Sequence, residues 1–386
     1  MVGTLSTPAR AEAPPLRLLI VAGEPSGDLH AARLVRALRA GGEVESCGVA
    51  GPRMRAEGVR ALVAQEDLAV IGFSGVIARL PALLAARGRL LHALASFRPD
   101  AVVLVDYPGF NLRLGPELKR RGARVFYYIG PQVWAWHPER ARAMASWVDR
   151  LAVVFPFEEA IFRAAGVSTT FVGHPLLDEL APEVDEAAFR AELGVDAATP
   201  LVGLLPGSRR GELAHHAAPL LAAAQRLRRE RPGVQHVLAL ADGLALDGVS
   251  TSSLAGVAVV RGRTHAVQAY ARCCAVASGT ATLETALLGT PLLVCYRVGW
   301  LNYAIARRVV KLARIGLPNI VAGREVAPEL IQGALTPEAV ALALGAWLAD
   351  DAARERAHAG LAIVRERLGG AGASARAAAA LREMVG

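Results

Sequence analysis

The stretch PLVGLLPGSRRGEL, residues 200–213, is the most informative about the fold, because its pattern also occurs near the start of the chain. An apolar strand ends at a glycine turn, and a helical pattern follows. LRLLIVAG (16–23), followed by a helical pattern over 28–40, is the same unit near the start of the chain. Strands alternating with helices of roughly 10 to 15 residues are typical of parallel sheets with right-handed crossovers. The recurrence predicts an α/β protein with two Rossmann-like domains.

Further apolar runs extend both halves. They span 101–110, 123–130, 150–155 and 169–174 in the first half and 235–240, 257–262, 273–278 and 291–296 in the second. A polar passage rich in Pro, Asp, Glu and Ala separates the halves. We expect a loose tail (1–16), a first domain (17–180), a second (181–335) and C-terminal helices (336–386) that pack back on the first domain or exchange with a partner chain. Substrates should meet in a cleft between the domains.

Composition excludes several classes of protein. The chain has 386 residues, of which 53% are hydrophobic, and its mean hydropathy is +0.34. Alanine supplies much of that value, and the apolar stretches fall short of the roughly 18 to 20 residues that a membrane-spanning helix needs. No transmembrane segment is predicted. The four cysteines show neither a CxxC pair nor zinc-ligand spacing, and free thiols suit a reducing cytoplasm.

The net charge of +8 invites comparison with nucleic-acid-binding proteins. Lysine occurs only at Lys119 and Lys311, so the basic residues are almost all arginines, and they are spread through predicted helices without a polybasic run. Nucleic acid is therefore not an expected partner. The charge suits either a solvated surface or an anionic partner, such as a phosphate-bearing substrate or an acidic membrane face.

The motif PGSRRGE (206–212) follows a strand and opens a helix. Gly207 lets the backbone come close to a ligand, the first amides of the helix are free, and Arg209 adds a forked cation. This arrangement suits a diphosphate. An ordinary strand-to-helix turn accounts for the motif equally well.

The motif SGTATLE (278–284) has small and hydroxyl side chains at the end of a strand. Ser278, Gly279 and Thr280 offer amides and hydroxyls without blocking a ligand, and Glu284 could accept both hydroxyls of a ribose. The alternative is that a hydroxyl caps the helix while Glu284 is merely exposed.

In the first half, GEPSGD (23–28) lacks the third glycine of a dinucleotide fingerprint, so a nicotinamide cofactor is not indicated. Its Asp28 is either a cleft residue or a helix cap. VDYPGFN (105–111) places Asp106 at the carboxyl end of an apolar strand, where open sheets put catalytic groups. Asp106 is either a general base or a turn residue, and its position favours the base. Asn111 is a candidate for the same cleft.

Other side chains are candidates for the cleft wall: Trp136 and His137 in QVWAWHPER (132–140), His174 in GHPLLDE (173–179), and Asn319, Arg324 and Glu325 in LPNIVAGRE (317–325). Buried packing is the commoner use of paired tryptophans, and a histidine at a domain edge also serves as a hinge cap. Loop placement favours the last group as a cleft wall.

One amphipathic stretch bears on location. At helical spacing it presents a patch of Val76, Ile77, Leu80, Leu83 and Leu84, flanked by arginines at 79, 87 and 89. Such a pattern is typical of a helix that faces the core. It equally suits a helix that lies on an anionic membrane surface.

Eight ordered motifs together resemble the lipid-A-disaccharide synthases, from about Leu18 to about Gln332. They are GEPSGD, GVAGPRM (48–54), VDYPGFN, QVWAWHPER, FVGHPLLDE (171–179), LLPGSRRGE (204–212), SGTATLETAL (278–287) and LPNIVAGRE. The resemblance implies a GT-B glycosyltransferase that joins UDP-2,3-diacylglucosamine to 2,3-diacylglucosamine 1-phosphate and releases UDP. We expect a cytoplasmic protein, peripheral on the inner membrane, and exchange of the C-terminal helices would make it a homodimer.

Carried over residue by residue, the family's donor site corresponds to Gly207, Ser208 and Arg209 at the diphosphate and to Ser278, Gly279, Thr280 and Glu284 around the nucleoside. Asn319, Arg324 and Glu325 belong to a family segment, and Asp106 matches an essential aspartate. Some members have a second acidic residue in VDYPGFN where this chain has Gly109, so no role is transferred from it.

These residues lead to a hypothesis of inverting transfer. Asp106, or a base near it, deprotonates the acceptor hydroxyl, and the loop amides with Arg209 stabilise the departing UDP. No D-x-D motif is present, and neither a metal nor a cofactor is expected. The alternatives are another GT-B enzyme of UDP-GlcNAc, either an epimerase or the peptidoglycan glucosaminyltransferase, and a catalytically idle nucleotide-sugar-binding protein.

Overall fold

The computed structural model describes residues 14–68, 80–133, 139–247, 249–300, 303–304 and 313–386. These residues form two compact units. The first contains the described residues up to Val154, with 158–172 and 372–386, and the second contains 155–157 and 173–371. Apart from 155–157, the second unit begins at Gly173, whereas the sequence led us to expect its start at 181. The amide of His174 bonds to the carbonyl of Leu368 within this second unit.

Each unit is built on a parallel sheet, as predicted for Rossmann-like domains. Over the described residues the first sheet has the order β3-β2-β1-β4-β5-β6-β7, and the second has the order β10-β9-β8-β11-β12-β13. The strands are β1 (Leu16–Ala22), β2 (Val44–Ala50), β3 (Arg60–Ala64), β4 (Ala101–Val105), β5 (Val125–Tyr128), β6 (Arg150–Val153), β7 (Thr169–Phe171), β8 (Leu201–Leu205), β9 (Gln235–Ala239), β10 (Val257–Val260), β11 (Cys273–Ala277), β12 (Leu292–Tyr296) and β13 (Glu329–Ile331).

Helices connect these strands. They are α1 (Pro25–Arg39), α2 (Pro52–Ala56), α3 (Gln65–Leu68), α4 (Leu80–Phe97), α5 (Pro108–Arg120), α6 (Glu139–Met144), α7 (Pro156–Ala164), α8 (Leu176–Glu179), α9 (Glu186–Leu193), α10 (Arg210–Glu230), α11 (Thr264–Tyr270), α12 (Thr280–Leu287), α13 (Leu317–Ala322), α14 (Pro337–Ala349), α15 (Asp351–Arg367) and α16 (Ala373–Val385). Proline stands in the first turn of α1, α5, α13 and α14, where no intrahelical donor is lost. In the described part of the chain, no helix combines the length and the hydropathy that a bilayer crossing needs.

The central strands are buried on both faces, which explains their continuous apolar runs. Every side chain of β4, β8 and β11 is buried. Tyr127 and Phe162 lie in the core of the first unit, and Trp347 of α14 packs into the core of the second. Burial of this extent supplies the main free energy that holds each sheet to its helices.

The last three helices divide between the units. Helices α14 and α15 belong to the second unit, where Arg365 and Arg367 of α15 donate to the carbonyls of Leu287 and Val321. These carbonyls lie at the C-terminal ends of α12 and α13, where a cation is favourable. Helix α16 packs on α1 and β6 of the first unit, and its Arg382 donates to the carbonyl of Leu38.

The strand order places the candidate loops. In the first sheet β1 and β4 are neighbours, and in the second β8 and β11 are neighbours, so the direction of winding reverses between the two strands of each pair. Open parallel sheets bind ligands at this switch point, beyond the carboxyl ends of the strands. The loops at 23–28 and 105–111 follow the first pair, and those at 206–212 and 278–284 follow the second.

Candidate active site

A pocket of about 330 Å³ opens at the switch point of the second sheet. It brings together the residues predicted to bind a nucleotide diphosphate, although two loops about seventy positions apart supply them. The residues that line it are Leu205, Gly207, Ser208, Arg209, Glu212, Ala239, Ala241, Thr264, Ala277, Ser278, Gly279, Thr280, Ala281 and Glu284. Glu212 and Thr264 were not among the residues predicted from the sequence.

The loop that precedes α10 is shaped for an anion. Gly207 has a φ of +113°, and a Cβ built there would lie 2.5 Å from Glu212, so both conformation and space favour glycine. The carboxylate of Glu212 accepts from the amides of Ser208 and Arg209 at 2.8 and 3.2 Å. Its other oxygen pairs with the Arg209 guanidinium at 2.9 Å. A carboxylate of the protein itself thus occupies the donors that a phosphate would use.

His216, one turn further along α10, ties this loop to the sheet. Its Nε2 accepts from the amide of Arg297 at 2.9 Å, so Nδ1 carries the proton and faces the carbonyls of Pro206 and Glu212 at 3.1 and 2.8 Å. Burial lowers the pKa of His216, which keeps the ring neutral and this tautomer in place. The sequence did not single out His216, because nothing local shows that Arg297 is its partner.

The second loop of the pocket leaves room for a ligand. Gly279 has a φ of +153°, and no atom lies within 4 Å of the Cβ that a side chain would add. Thr280 opens α12, and the hydroxyl of Ser278 contacts the carbonyl of Ile315 at 3.4 Å. Glu284 lies on the pocket wall one turn into the helix.

Among the described residues, the carboxylate of Glu284 has only long contacts. Gln268 Nε2 is 3.5 Å away and His265 Nε2 is 3.8 Å away. Burial raises the pKa of Glu284, and His265 and Gln268 partly offset that rise. Its oxygens are therefore available to accept hydroxyls from a ligand.

Asn319 is bonded within the second unit and does not line the pocket at the switch point. Its side chain is fully buried; Nδ2 donates to Ala327 O and to Glu329 Oε1, both at 2.7 Å, and Oδ1 accepts from the amides of Val326 and Ala327. Asn319 therefore holds the loop after α13 in place.

Arg324 and Glu325 follow α13 and are exposed. Neither of them lines the pocket at the switch point of the second sheet. The three residues of this motif thus differ in their surroundings: Asn319 is buried, and Arg324 and Glu325 are exposed.

In the first unit, Asp106 lies at the end of β4 in a strained turn. Asp106 and Tyr107 both have left-handed φ values, +45° and +48°, which non-glycine residues adopt at a cost of about 1 to 3 kcal/mol each. The carbonyl of Asp106 accepts from Tyr127 Oη at 2.8 Å and from Asn111 Nδ2 at 2.7 Å, and both donors are fully buried. These two hydrogen bonds hold the turn in its unusual conformation.

The charge environment of Asp106 suits a base. Burial, with the nearby Glu24 carboxylate, raises the pKa of Asp106 to about 6. Burial also lowers the pKa of His30 to about 4, against the attraction of Asp106. At neutral pH Asp106 is thus ionised and His30 is neutral, with the aspartate close to the range that favours proton transfer.

The glycine that opens GEPSGD makes room for this turn. A Cβ at Gly23 would lie 2.2 Å from the ring of Tyr107, so only glycine fits under that ring. Asp28 has a separate task. Its buried carboxylate accepts from the amides of Gly51, Arg53 and Met54, which anchors the start of α2.

His174 is tied to its own segment, and part of the apolar patch is exposed. The Nδ1 of His174 accepts from the amide of Leu176 at 3.2 Å, and its ring lies 5.1 Å from that of Phe155. Leu80 and Leu84 are 50% and 55% exposed, whereas Leu83 packs partly against the core. Trp136, His137, Val76 and Ile77 lie outside the described residues.

The sequence model of the lipid-A-disaccharide synthetase family matches residues 18–382. The chain belongs to the lipid-A-disaccharide synthase family. A lipid-A-disaccharide synthase of Geobacter metallireducens is 42% identical over 378 residues, which cover 97% of this chain and 98% of the relative.

Solved structures extend the comparison to the fold. A putative UDP-N-acetylglucosamine 2-epimerase of Listeria monocytogenes superposes with a TM-score of 0.63 at 12% identity, over 89% of this chain and 91% of the epimerase. A calicheamicin glycosyltransferase superposes with a TM-score of 0.59 at 16% identity, over 96% and 98%. Both likenesses show the GT-B fold alone, which confirms the predicted fold class.

Family membership also settles the reaction class. The protein is a glycosyltransferase of lipid A biosynthesis that condenses diacylglucosamine substrates. This confirms the activity expected from the eight motifs, and it sets aside the epimerase, the peptidoglycan glucosaminyltransferase and the idle binding protein as alternatives.

Proposed function

We propose that the protein transfers the sugar of UDP-2,3-diacylglucosamine to a hydroxyl of 2,3-diacylglucosamine 1-phosphate with inversion at the anomeric carbon. The products are the lipid A disaccharide 1-phosphate and UDP. The hydroxyl oxygen attacks the anomeric carbon, the bond from that carbon to the diphosphate oxygen breaks, and the hydroxyl proton goes to a base. The observation that supports this scheme best is the turn at the switch point of the first sheet, where two buried donors hold Asp106 at the end of β4 and burial raises its pKa to about 6.

The nucleotide would bind in the pocket of the second unit. The amides of Ser208 and Arg209, with the guanidinium of Arg209, are donors aimed at one point, which Glu212 now occupies. A diphosphate that displaces Glu212 gains all three donors, and they also stabilise the charge that develops on departing UDP. Gly207 is needed because a side chain there would close the approach.

The nucleoside would extend toward the second loop. Glu284 has a partly buried carboxylate without short hydrogen bonds, which suits the two hydroxyls of a ribose. Ser278, Gly279 and Thr280 line the same wall and leave it open. Glu284→Gln should therefore weaken UDP binding, and 2′-deoxy-UDP should lose less affinity in this variant than UDP does.

Asp106 would act as the general base. The two buried donors on its carbonyl fix the turn, and His30, neutral at pH 7, is within its electrostatic reach. Asp106→Asn keeps the shape and removes the basic oxygen, so kcat should fall by about 100-fold or more while both substrates still bind. Asp100→Asn is the matched control, because Asp100 precedes the amino end of the same strand and bonds to the amide of Arg17.

One assay decides the proposal. The protein is incubated with the diacylated UDP donor and the monosaccharide 1-phosphate acceptor, in the presence of EDTA, and the disaccharide is measured. Product is expected without an added metal. If Asp106→Asn turns over at nearly the normal rate, Asp106 is not the base.

We further propose that the protein works in the cytoplasm as a peripheral protein on the inner membrane. Leu80 and Leu84 expose half of their surface beside arginines of the same helix, as a helix on an anionic bilayer would. Ile77→Glu combined with Leu80→Glu should release the protein from anionic vesicles with its melting temperature unchanged. Vesicle binding that persists in this double variant would contradict the proposal.

A homodimer with exchanged C-terminal helices is the oligomeric state that we propose. Helices α15 and α16 belong to different units and are joined by 368–372, a short connection that contains Gly369, Gly370 and Gly372. Exchange between copies starts at a short hinge of this kind between two units. Light scattering that shows only a monomer would overturn this part of the proposal.

A further inference from the structure

An apolar groove of about 310 Å³ lies in the first unit between α4 and α5. Its lining combines aliphatic and aromatic side chains with two arginines: Leu80, Leu83, Leu84, Arg87, Tyr107, Gly109, Phe110, Arg113 and Leu114. A groove of this size and character suits part of a hydrocarbon chain. Among the described residues, the two arginines are the only charged ones that line the groove. They therefore favour a hydrocarbon chain that carries an anionic head group.

The two arginines differ in their partners. Arg87 is neutralised, because its Nε donates to Glu117 Oε2 at 2.8 Å and a second nitrogen lies 2.5 Å from the same oxygen. Arg113 is exposed, and its guanidinium makes no hydrogen bond or ion pair with any other described residue. The guanidinium of Arg113 is therefore a cation without a described ion-pair partner at an apolar groove.

The groove adjoins the proposed base. Tyr107, which lines it, follows Asp106 directly. Phe110, which also lines it, stands in the first turn of α5, and Arg113 lies about one and a half turns into that helix. The surroundings of Asp106 are acidic, since Glu24 contributes to the rise of its pKa. An anionic substrate that presents a hydroxyl to Asp106 is repelled there and needs a cation nearby.

We propose that Arg113 binds the phosphate of the acceptor while the groove takes one of its acyl chains. This inference rests on the proposed function, since the acceptor phosphate belongs to it. A guanidinium offers two parallel donors to a phosphate, a geometry that lysine cannot reproduce. Arg113 would thus select a phosphorylated acylated sugar over its dephosphorylated form, a positioning task separate from proton transfer at Asp106.

Equilibrium binding to the Asp106→Asn protein tests this without turnover. Two short-chain acceptors are compared in detergent, one with the 1-phosphate and one without it. Adding Arg113→Ala should weaken binding of the phosphorylated acceptor by roughly 10- to 100-fold, the usual effect of losing a hydrogen bond to a charged group. The dephosphorylated acceptor should bind both proteins equally, and Arg113→Lys should restore only part of the loss.

Arg120→Ala is the matched control, because Arg120 is an exposed arginine of the same helix that does not line the groove. An equal loss for both acceptors would overturn the proposal, since Arg113 would then not contact the phosphate. A loss seen only on phospholipid vesicles and not in detergent would also overturn it and would assign Arg113 to the bilayer. Because binding is measured in a protein that lacks Asp106, a wrong base assignment leaves this test intact.

Discussion

The hydroxyl of Tyr127 donates a 2.8 Å hydrogen bond to the main-chain carbonyl of Asp106, although the two residues are 21 positions apart. Tyr127 is wholly buried in β5, and Asp106 ends the neighbouring strand β4 in a left-handed conformation. The hydrogen bond therefore connects the rigid core of the first sheet to the strained turn that presents the proposed base.

Removing that hydroxyl should impair turnover more than stability. Tyr127→Phe takes away one of two donors on the Asp106 carbonyl, so we expect a loss of about 1 kcal/mol in the free energy of unfolding and a fall of about tenfold in kcat. Tyr270→Phe is the matched control, because its hydroxyl donates at the same 2.8 Å to the carbonyl of Val184 in the second unit. Equal kcat values in the two variants would contradict a positioning role for Tyr127.

Turnover should fall on acidification near pH 6, because the Asp106 carboxylate is then protonated. Because the pKa of Asp106 is raised to about 6, the carboxylate accepts its proton at higher pH than an ordinary aspartate, and kcat/KM should fall about tenfold per pH unit below that value. Substrate phosphates also titrate in this range. NMR of a ¹³C-labelled Asp106 carboxyl, assigned with Asp106→Asn, distinguishes the titration of Asp106 from that of the phosphates. A midpoint near 4 would refute the raised pKa.

Glu212 should compete with the nucleotide. Its carboxylate occupies the amides of Ser208 and Arg209, so Glu212→Gln removes a negative charge that UDP must displace. We expect UDP to bind about tenfold more tightly, equivalent to about 1.4 kcal/mol, as measured by calorimetry. Glu230→Gln at the other end of α10 is the control. Weaker UDP binding by Glu212→Gln would show instead that the carboxylate supports the bound loop.

Acid should destabilise the second unit through a buried histidine. His236 is fully buried in β9, neither ring nitrogen has a hydrogen-bond partner in the described structure, and burial lowers its pKa to about 4. The unfolded chain, with a pKa near 6.5, binds the proton more readily, so stability is lost as pH falls from about 6.5 to 4. At pH 5 this loss is about 2 kcal/mol.

His236→Leu should remove that share of the pH dependence. The measurement is urea unfolding at pH 7 and pH 5, with the exposed His92→Leu as the control. The difference between the two pH values should shrink by about 2 kcal/mol only in His236→Leu. His30 and His216 shift in the same direction and keep part of the acid sensitivity in every variant. An unchanged difference would exclude His236 as a source.

Most strands were predictable, and the exceptions have physical reasons. The predicted runs at 16–23, 101–110 and 273–278 became β1, β4 and β11, because continuous apolar residues suit strands buried on both faces. Strands β2, β3 and β13 were not identified. VESCGVA and ELI contain charged or small residues, and RALVA starts with two exposed residues. Strands β3 and β13 each lie at one edge of a sheet and are only partly buried, so neither shows a continuous apolar run.

By itself the sequence determined the two α/β units, the glycine loops at the ends of their strands and the family motifs, because these depend on residues close together in the chain. The tertiary structure alone decided which atoms meet: Tyr127 on Asp106, Glu212 on the loop amides, His216 on Arg297, and Arg113 left unpaired while Arg87 is neutralised. Such contacts join residues that only the packing of strands and helices brings within hydrogen-bond distance. Burial in the folded protein also shifts the pKa values of Asp106, His30 and Glu284, and no local sequence pattern shows how deeply a residue is buried.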